Sequence, residues 1–177
     1  LKQIKEIEKV NKKFSNFEIL KGAEVDILSD GKLATSDKIL KKLDIVSASI
    51  HFGFKKDNTD RILKALENKY LNIICHPTGR LINQRNPYKV DLRKVYKKAK
   101  ENNKFLEINS YPNRLDLSDV NVKEAISENV KIAISTDSHN VNQLRFIELG
   151  IAVARRGWAR KKDIVNTYNL KDIKKIL

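Results

Sequence analysis

The sequence predicts an α/β fold built on a parallel β-sheet. Short β-rich runs alternate with helix-patterned stretches, and the runs are nearly continuous apolar segments rather than alternating ones. The sparse histidines fall where those runs end. The runs lie at 17–28, 45–50, 71–75, 105–108 and 130–135. Segments such as Ile-Val-Ser-Ala-Ser-Ile at 45–50 and Leu-Asn-Ile-Ile-Cys at 71–75 read as strands buried on both faces, the signature of a parallel sheet. Helical patterns at 36–43, 58–68, 91–102, 119–128 and 141–149 fill the intervals. Strand–helix alternation with short connections means repeated βα units.

Each element carries its own signal. Leu1, Ile4, Ile7 and Val10 recur every three residues, so residues 1–13 read as an amphipathic helix. Asp30-Gly31 marks a tight turn after the first run. Asp91 and Ser118 precede the third and fourth helical stretches as N-caps, because their side-chain oxygens can accept from the free N–H groups of a first turn. The tail, 160–177, reads as one or two short helices. No linker or low-complexity tract interrupts the pattern, so residues 1–177 are expected to form a single domain.

Composition bounds the function classes. With 41% hydrophobic and 33% charged residues, the 177-residue chain can bury a core and is not disordered. No apolar run approaches the ~20 residues that span a bilayer, so no membrane role is expected. The opening Leu1-Lys2-Gln3-Ile4-Lys5 lacks a secretory pattern, and a lone cysteine cannot form an internal disulfide. A cytoplasmic setting is the expectation. The net charge of +14 suits a polyanionic partner through counterion release. It is carried mostly by lysine in a chain also rich in Asn and Ile, which nucleotide bias in a coding sequence produces as readily. Charge alone leaves both readings open.

The polar residues at the strand ends carry the chemistry. His51 follows the second run and His76 the third; Asp137 and His139 follow the fifth. Glu107 and Asn109 end the fourth. Glu24 and Asp26 lie within the first, at the spacing of two that shares a face. All three histidines of the protein are thus at strand C-termini, about one βα unit apart or a multiple of it. In a parallel α/β sheet or barrel, side chains at those ends converge on one site. Histidine and carboxylate converging there are the donor set of a Zn, Mn or Fe centre. Other chemistries fit worse: no G-x-S-x-G, P-loop, G-x-G-x-x-G or C-x-x-C pattern is present. Cys75 precedes His76, and adjacent residues of a regular strand face opposite ways, so the two are not expected to meet. Cys75 reads as buried wall.

These residues resemble the PHP (polymerase and histidinol phosphatase) phosphoesterases, and most closely the C-terminal PHP domain of bacterial and archaeal family X DNA polymerases. The matching stretches are Lys-Gly-Ala-Glu-Val-Asp-Ile-Leu at 21–28, Ser-Ile-His at 49–51, His-Pro-Thr-Gly-Arg-Leu at 76–81, Leu-Glu-Ile-Asn at 106–109, Asn-Arg-Leu-Asp-Leu at 113–117, Ser-Thr-Asp-Ser-His at 135–139 and Ala-Arg-Arg-Gly-Trp at 154–158. The resemblance implies a distorted, TIM-like (βα)7 barrel holding up to three metal ions, Mn or Zn and alternatively Fe or Mg, at the strand C-termini. It implies that Glu24 bridges metals and that His51, His76, Asp137 and His139 are ligands. A metal-bound water, with no protein nucleophile, then attacks phosphorus in line. The implied activity is 3′–5′ exonuclease or other DNA 3′-end processing in repair. The family begins with a His-x-His strand, an Asp and a Thr-Asp-His strand, none of which occurs here. The expectation is that about two N-terminal βα units are missing from this chain, that an upstream polymerase module precedes them, and that the chain alone binds metal weakly.

Supporting roles follow from position. Arg80, four residues after His76, can clamp a phosphate bidentately or pair with an acid. Arg155 can reach substrate; Arg156 is expected to pack. Arg114 is expected to order its loop, and Trp158 to anchor core or loop. Glu107 and Asn109 share a face toward the site and suit hydrogen bonding to ligand histidines. Two alternatives to a DNA-end enzyme stay open. One is a small-molecule phosphatase of the histidinol-phosphatase type; the other is a non-catalytic PHP module that holds structure or DNA.

Overall fold

The computed structural model of the protein describes residues 2–177; Leu1, counted in the first helical pattern, lies outside them. The chain runs α1 (Lys2–Asn11), β1 (Gly22–Asp26), α2 (Asp37–Leu40), β2 (Ile45–Ser49), α3 (Thr59–Ala65), β3 (Ile73–Ile74), α4 (Leu92–Glu101), β4 (Phe105–Asn109), α5 (Asp119–Ser127), β5 (Ile132–Ser135), α6 (Ile147–Arg156) and α7 (Leu170–Ile176). All five strands form one parallel sheet in the order β1-β2-β3-β4-β5. Strictly sequential order is how a βα barrel winds, because each right-handed crossover adds its strand beside the last.

Alternation along the strands sorts side chains to two faces. Val46, Ala48, Ile50, Ile74, Leu106, Ile108, Ile132 and Ile134 pack with Ile62, Leu66, Val95, Tyr96, Ala99, Val122 and Ala125 of the helices in the main core. On the opposite face, Ile73, Cys75, Phe105 and Ala133 form a smaller cluster with Ile45, Val165 and Leu177. There α7 lies against the sheet around a 270 Å³ cavity walled by Ile45, Ile73, Phe105 and Ile173. The Asn72 side chain ties this covering in place. Its Oδ1 accepts from Val46 N at 2.7 Å and its Nδ2 donates to the Leu177 carbonyl at 2.8 Å.

A free strand edge exposes unpaired backbone groups. At the β5 edge the Asn166 amide pairs with both backbone groups of Ile134, at 2.7 and 2.9 Å, and Ile164 makes an isolated parallel bridge to Ile132. The Asn11 amide serves Ile19 in the same way, with both bonds at 2.9 Å.

Several expected elements differ in extent. The first strand is Gly22–Asp26 rather than 17–28, because the backbone at Ile19 is satisfied by Asn11 and Phe17 is 64% exposed. The helical stretch at 36–43 contracts to Asp37–Leu40. The stretch at 141–149 starts as a 3-10 turn, Val141–Phe146, and its α-helix continues to Arg156. Gly150 allows that helix to seat: a Cβ there would stand 2.6 Å from Ile134 Cγ2 and closer still to Ser110 Oγ. Asp91 and Ser118 are N-caps as expected, accepting from Lys94 N at 3.2 Å and Asn121 N at 3.4 Å.

Candidate metal centre

Parallel register places Glu24 beside Ser47 and Asp26 beside Ser49, on the sheet face away from the main core. His51 leaves β2 on that same face. Asp26 Oδ1 lies 2.7 Å from His51 Nδ1, and His51 Nε2 stands 3.7 Å from Glu24 Oε1. A carboxylate on one imidazole nitrogen fixes the ring and leaves the other nitrogen to face a ligand, the usual second partner of a metal-bound histidine.

His76 joins them by a backbone turn. Its φ of +31° breaks the strand alternation, so it reaches the face that Cys75 also occupies. The expectation that Cys75 and His76 face opposite ways is therefore corrected: regular alternation ends at Ile74, the last residue of β3. His76 is 2% exposed and its Nε2 lies 3.3 Å from Glu24 Oε1. Its backbone N–H donates to Glu107 Oε2 at 2.6 Å, and Ser135 Oγ donates to Glu107 Oε1. The buried His76 Nδ1 has no hydrogen-bond partner among the described residues.

Glu24, His51 and His76 each present a donor atom within 4.8 Å of the others. Two imidazoles, one carboxylate, the anchoring of His51 by Asp26 and the unpartnered nitrogen of His76 all fit a divalent transition metal. The cluster is open on one side, with Glu24 and His51 side chains 38% and 47% exposed. The hydrogen bond from His76 holds the Glu24 carboxyl down at about 2 against the opposing effect of burial. Burial pushes Glu107 up, as it does Asp116. It also pushes the Cys75 thiol well up, with Glu107 and Glu24 adding to the effect, so Cys75 stays a protonated wall residue.

Asp137 and His139 follow β5 but stand outside the Glu24–His51–His76 cluster. Asp137 Oδ2 accepts from Asn109 Nδ2 at 3.2 Å and lies 3.4 Å from Arg114 Nε. Arg114 thus pairs with an acid in addition to shaping its loop. His139 Nδ1 contacts the Asp137 carbonyl at 2.8 Å, and its backbone N–H donates to Gln143 Oε1 at 2.7 Å. Glu107 holds the His76 backbone rather than a ring, and Asn109 reaches Asp137 rather than a histidine.

Among the described residues Arg80 pairs with no carboxylate; two of its guanidinium nitrogens go to backbone carbonyls. Its Nε donates to the Arg114 carbonyl at 2.8 Å and its Nη2 to the Leu115 carbonyl, joining the loop after His76 to the loop after β4. Asp116 Oδ2 reinforces the junction by accepting from Thr78 N at 3.0 Å. Gly79 fits it: with φ +63°, it lies so close to Tyr88 that a Cβ would meet Cδ1 at 2.6 Å. Arg155 is exposed in the last turn of α6, while Arg156 Nε contacts Asp119 Oδ2 at 3.0 Å. Trp158 is 71% exposed under Lys123 Nζ, 4.2 Å from the ring centroid, and so is not a core residue. Asp26, which contacts His51, is not among the site residues expected from the sequence; its same-face spacing from Glu24 is the available signal.

No family model matches the chain. It is 42% identical over 178 residues to the DNA polymerase/3′-5′ exonuclease PolX of Bacillus subtilis (strain 168), a match covering 99% of this chain and 31% of the relative. It is 36% identical over 168 residues to a probable phosphatase of Thermoanaerobacter sp. (strain X514), covering 88% of this chain and 66% of that protein. A probable phosphatase of Clostridium acetobutylicum is 35% identical over 148 residues, covering 74% of this chain and 56% of the relative. The chain therefore spans about a third of the polymerase relative and under two thirds of the phosphatases.

Proposed function

Because the chain belongs to the PHP family, close to the PHP domain of family X DNA polymerases, we propose that it is a metal-dependent phosphoesterase acting on DNA 3′ ends as a 3′–5′ exonuclease in repair. The observation that carries this reading is the convergence of Glu24, His51 and His76 within 4.8 Å at the strand C-termini. A further observation supports a polyanionic substrate: an acid-rich site sits in a chain of net charge +14. A cation held by the acids can then meet a phosphate drawn in by the surrounding field.

Glu24, His51 and His76 would hold Mn or Zn, with Asp137 and His139 proposed to complete the set from the loop after β5. When bound, such a metal neutralises phosphate oxygens and makes a water acidic enough to act as nucleophile near neutral pH. The chain's own residues prepare for that. Asp26 orients His51; Glu107 and Ser135 fix the backbone at His76; Asn109 and Arg114 hold Asp137. Cys75, buried and protonated, takes no part as nucleophile. Arg155, free on α6, is proposed to meet the substrate backbone. The remaining family ligands are proposed to lie on a preceding segment of the same gene product, next to a polymerase module; the 31% coverage of PolX supports this.

The test is release of mononucleotides from a 3′-labelled single-stranded oligonucleotide with Mn²⁺, measured for this chain and for a version extended upstream. Activity that needs Mn²⁺, is abolished by EDTA and disappears in His76→Ala supports the proposal. Cleavage unaffected by either change contradicts it. The relatives named as probable phosphatases favour a second reading, a phosphatase of small phosphomonoesters. Faster turnover of p-nitrophenyl phosphate or histidinol phosphate than of DNA ends would select it.

A further inference from the structure

At the N-terminal ends of β4 and β5, the end of the sheet opposite His51 and His76, a second cavity of 540 Å³ opens between α4, α7 and the strands. Its volume lies in the range of small-ligand pockets, ~300–1,000 Å³. Lys104 and Lys131 enter it from the residues just before β4 and β5, Lys100 from the last turn of α4 and Lys175 from α7; Tyr168 forms an aromatic wall. Among the described residues no Asp or Glu lines it.

The positive charge there is unevenly answered. Lys175 pairs with Asp172 at 3.3 Å. Among the described residues, Lys100, Lys104 and Lys131 make no ion pair within 4.0 Å. Lys104 Nζ donates to the Lys69 carbonyl at 3.3 Å, and Lys131 Nζ donates to the Lys162 carbonyl. Each ammonium thus spends one of its three donors on a neutral acceptor, and the others are left for a ligand. Burial lowers the Lys104 pKa, the direction expected of a cation that lacks a counter-charge.

We propose that this cavity binds a small polyphosphate, the phosphates of pyrophosphate or of a nucleoside diphosphate lying on Lys100, Lys104 and Lys131. Ammonium groups suit phosphate as point charges with several donors. A concave pocket favours a compact anion over a long backbone. The Tyr168 ring offers a surface for a base if the phosphates belong to a nucleotide. The proposal stands apart from the histidine cluster and needs no metal.

The test is isothermal titration of the protein with pyrophosphate, ADP, adenosine and a 16-mer oligothymidylate, all in EDTA so that the histidine cluster carries no ion. One site per chain is expected for pyrophosphate or ADP and none for adenosine; tighter ADP identifies a nucleotide source, equal affinity an inorganic one. Lys100→Gln with Lys131→Gln should weaken binding about ten-fold or more, as loss of two charge-assisted hydrogen bonds implies. Lys100→Arg with Lys131→Arg should retain it, which separates charge from any effect on folding. Binding unchanged in the glutamine pair, equal binding of adenosine, or binding by the oligonucleotide alone would overturn the proposal.

Discussion

Glu24 Oε1 lies 3.3 Å from His76 Nε2, a contact that joins β1 to the second residue past β3 across the intervening β2. It exists because the parallel register lifts Glu24 toward the strand C-termini and the positive φ at His76 turns that ring inward. Its electrostatic consequence is testable. The Glu24 carboxyl is held at about 2, below its ordinary 4.5, so its ionised form favours the folded chain fully above that ordinary value. The contribution is lost as pH falls through about 2. In EDTA, the stability gap between the protein and Glu24→Gln, measured by urea unfolding, should shrink steadily through this interval. Partial exposure of Glu24 screens the effect and keeps it small.

Glu107 is expected to act through His76 rather than on substrate. Glu107→Ala removes the acceptor of the buried His76 backbone N–H and of the half-buried Ser135 hydroxyl. Stability should fall by about 1–3 kcal/mol per donor left unpaired. Metal affinity, read by competition with a chelating dye, should fall ~10–100-fold, as for other residues that support a ligand. Glu107→Gln should recover most of both.

Arg80 should prove a loop fastener. Arg80→Ala frees the carbonyls of Arg114 and Leu115, and amide hydrogen exchange should rise in residues 111–117. Arg80→Lys should restore little, because a point-charge ammonium cannot reproduce two planar donors. If exchange is unchanged and only the KM for DNA rises, Arg80 is a phosphate clamp after all.

Gly150→Ala should destabilise by about 1–3 kcal/mol, the usual range for overpacking a core contact. The added methyl would meet Ile134 Cγ2 at 2.6 Å and press on Ser110. The loss should appear in the melting temperature, with metal affinity little changed, since the atoms nearest the added methyl belong to Ser110 and Ile134 and not to the histidine cluster.

Nearly continuous apolar runs made the five parallel strands and the strand-end position of the histidines legible in the sequence, because those depend on local composition. What depended on geometry between elements was not legible. Asp26 showed its face but not its partner, since the register Asp26↔Ser49 decides that it meets His51. The inward turn of His76 needs a backbone angle that a His-Pro sequence does not announce. The carbonyls that Arg80 serves are not legible either, because they belong to a loop more than thirty residues along the chain. Residues 17–21 carried strand-like residues, but Asn11 took the backbone groups that a strand would have used.

The most direct test of the metal centre is equilibrium dialysis of the protein against Mn²⁺ and Zn²⁺, beside Glu24→Ala and His51→Ala, with bound metal measured by mass spectrometry. Metal bound by the protein and reduced about ten-fold or more in both variants is the predicted result. Equal metal in all three proteins, or none in any, would contradict it.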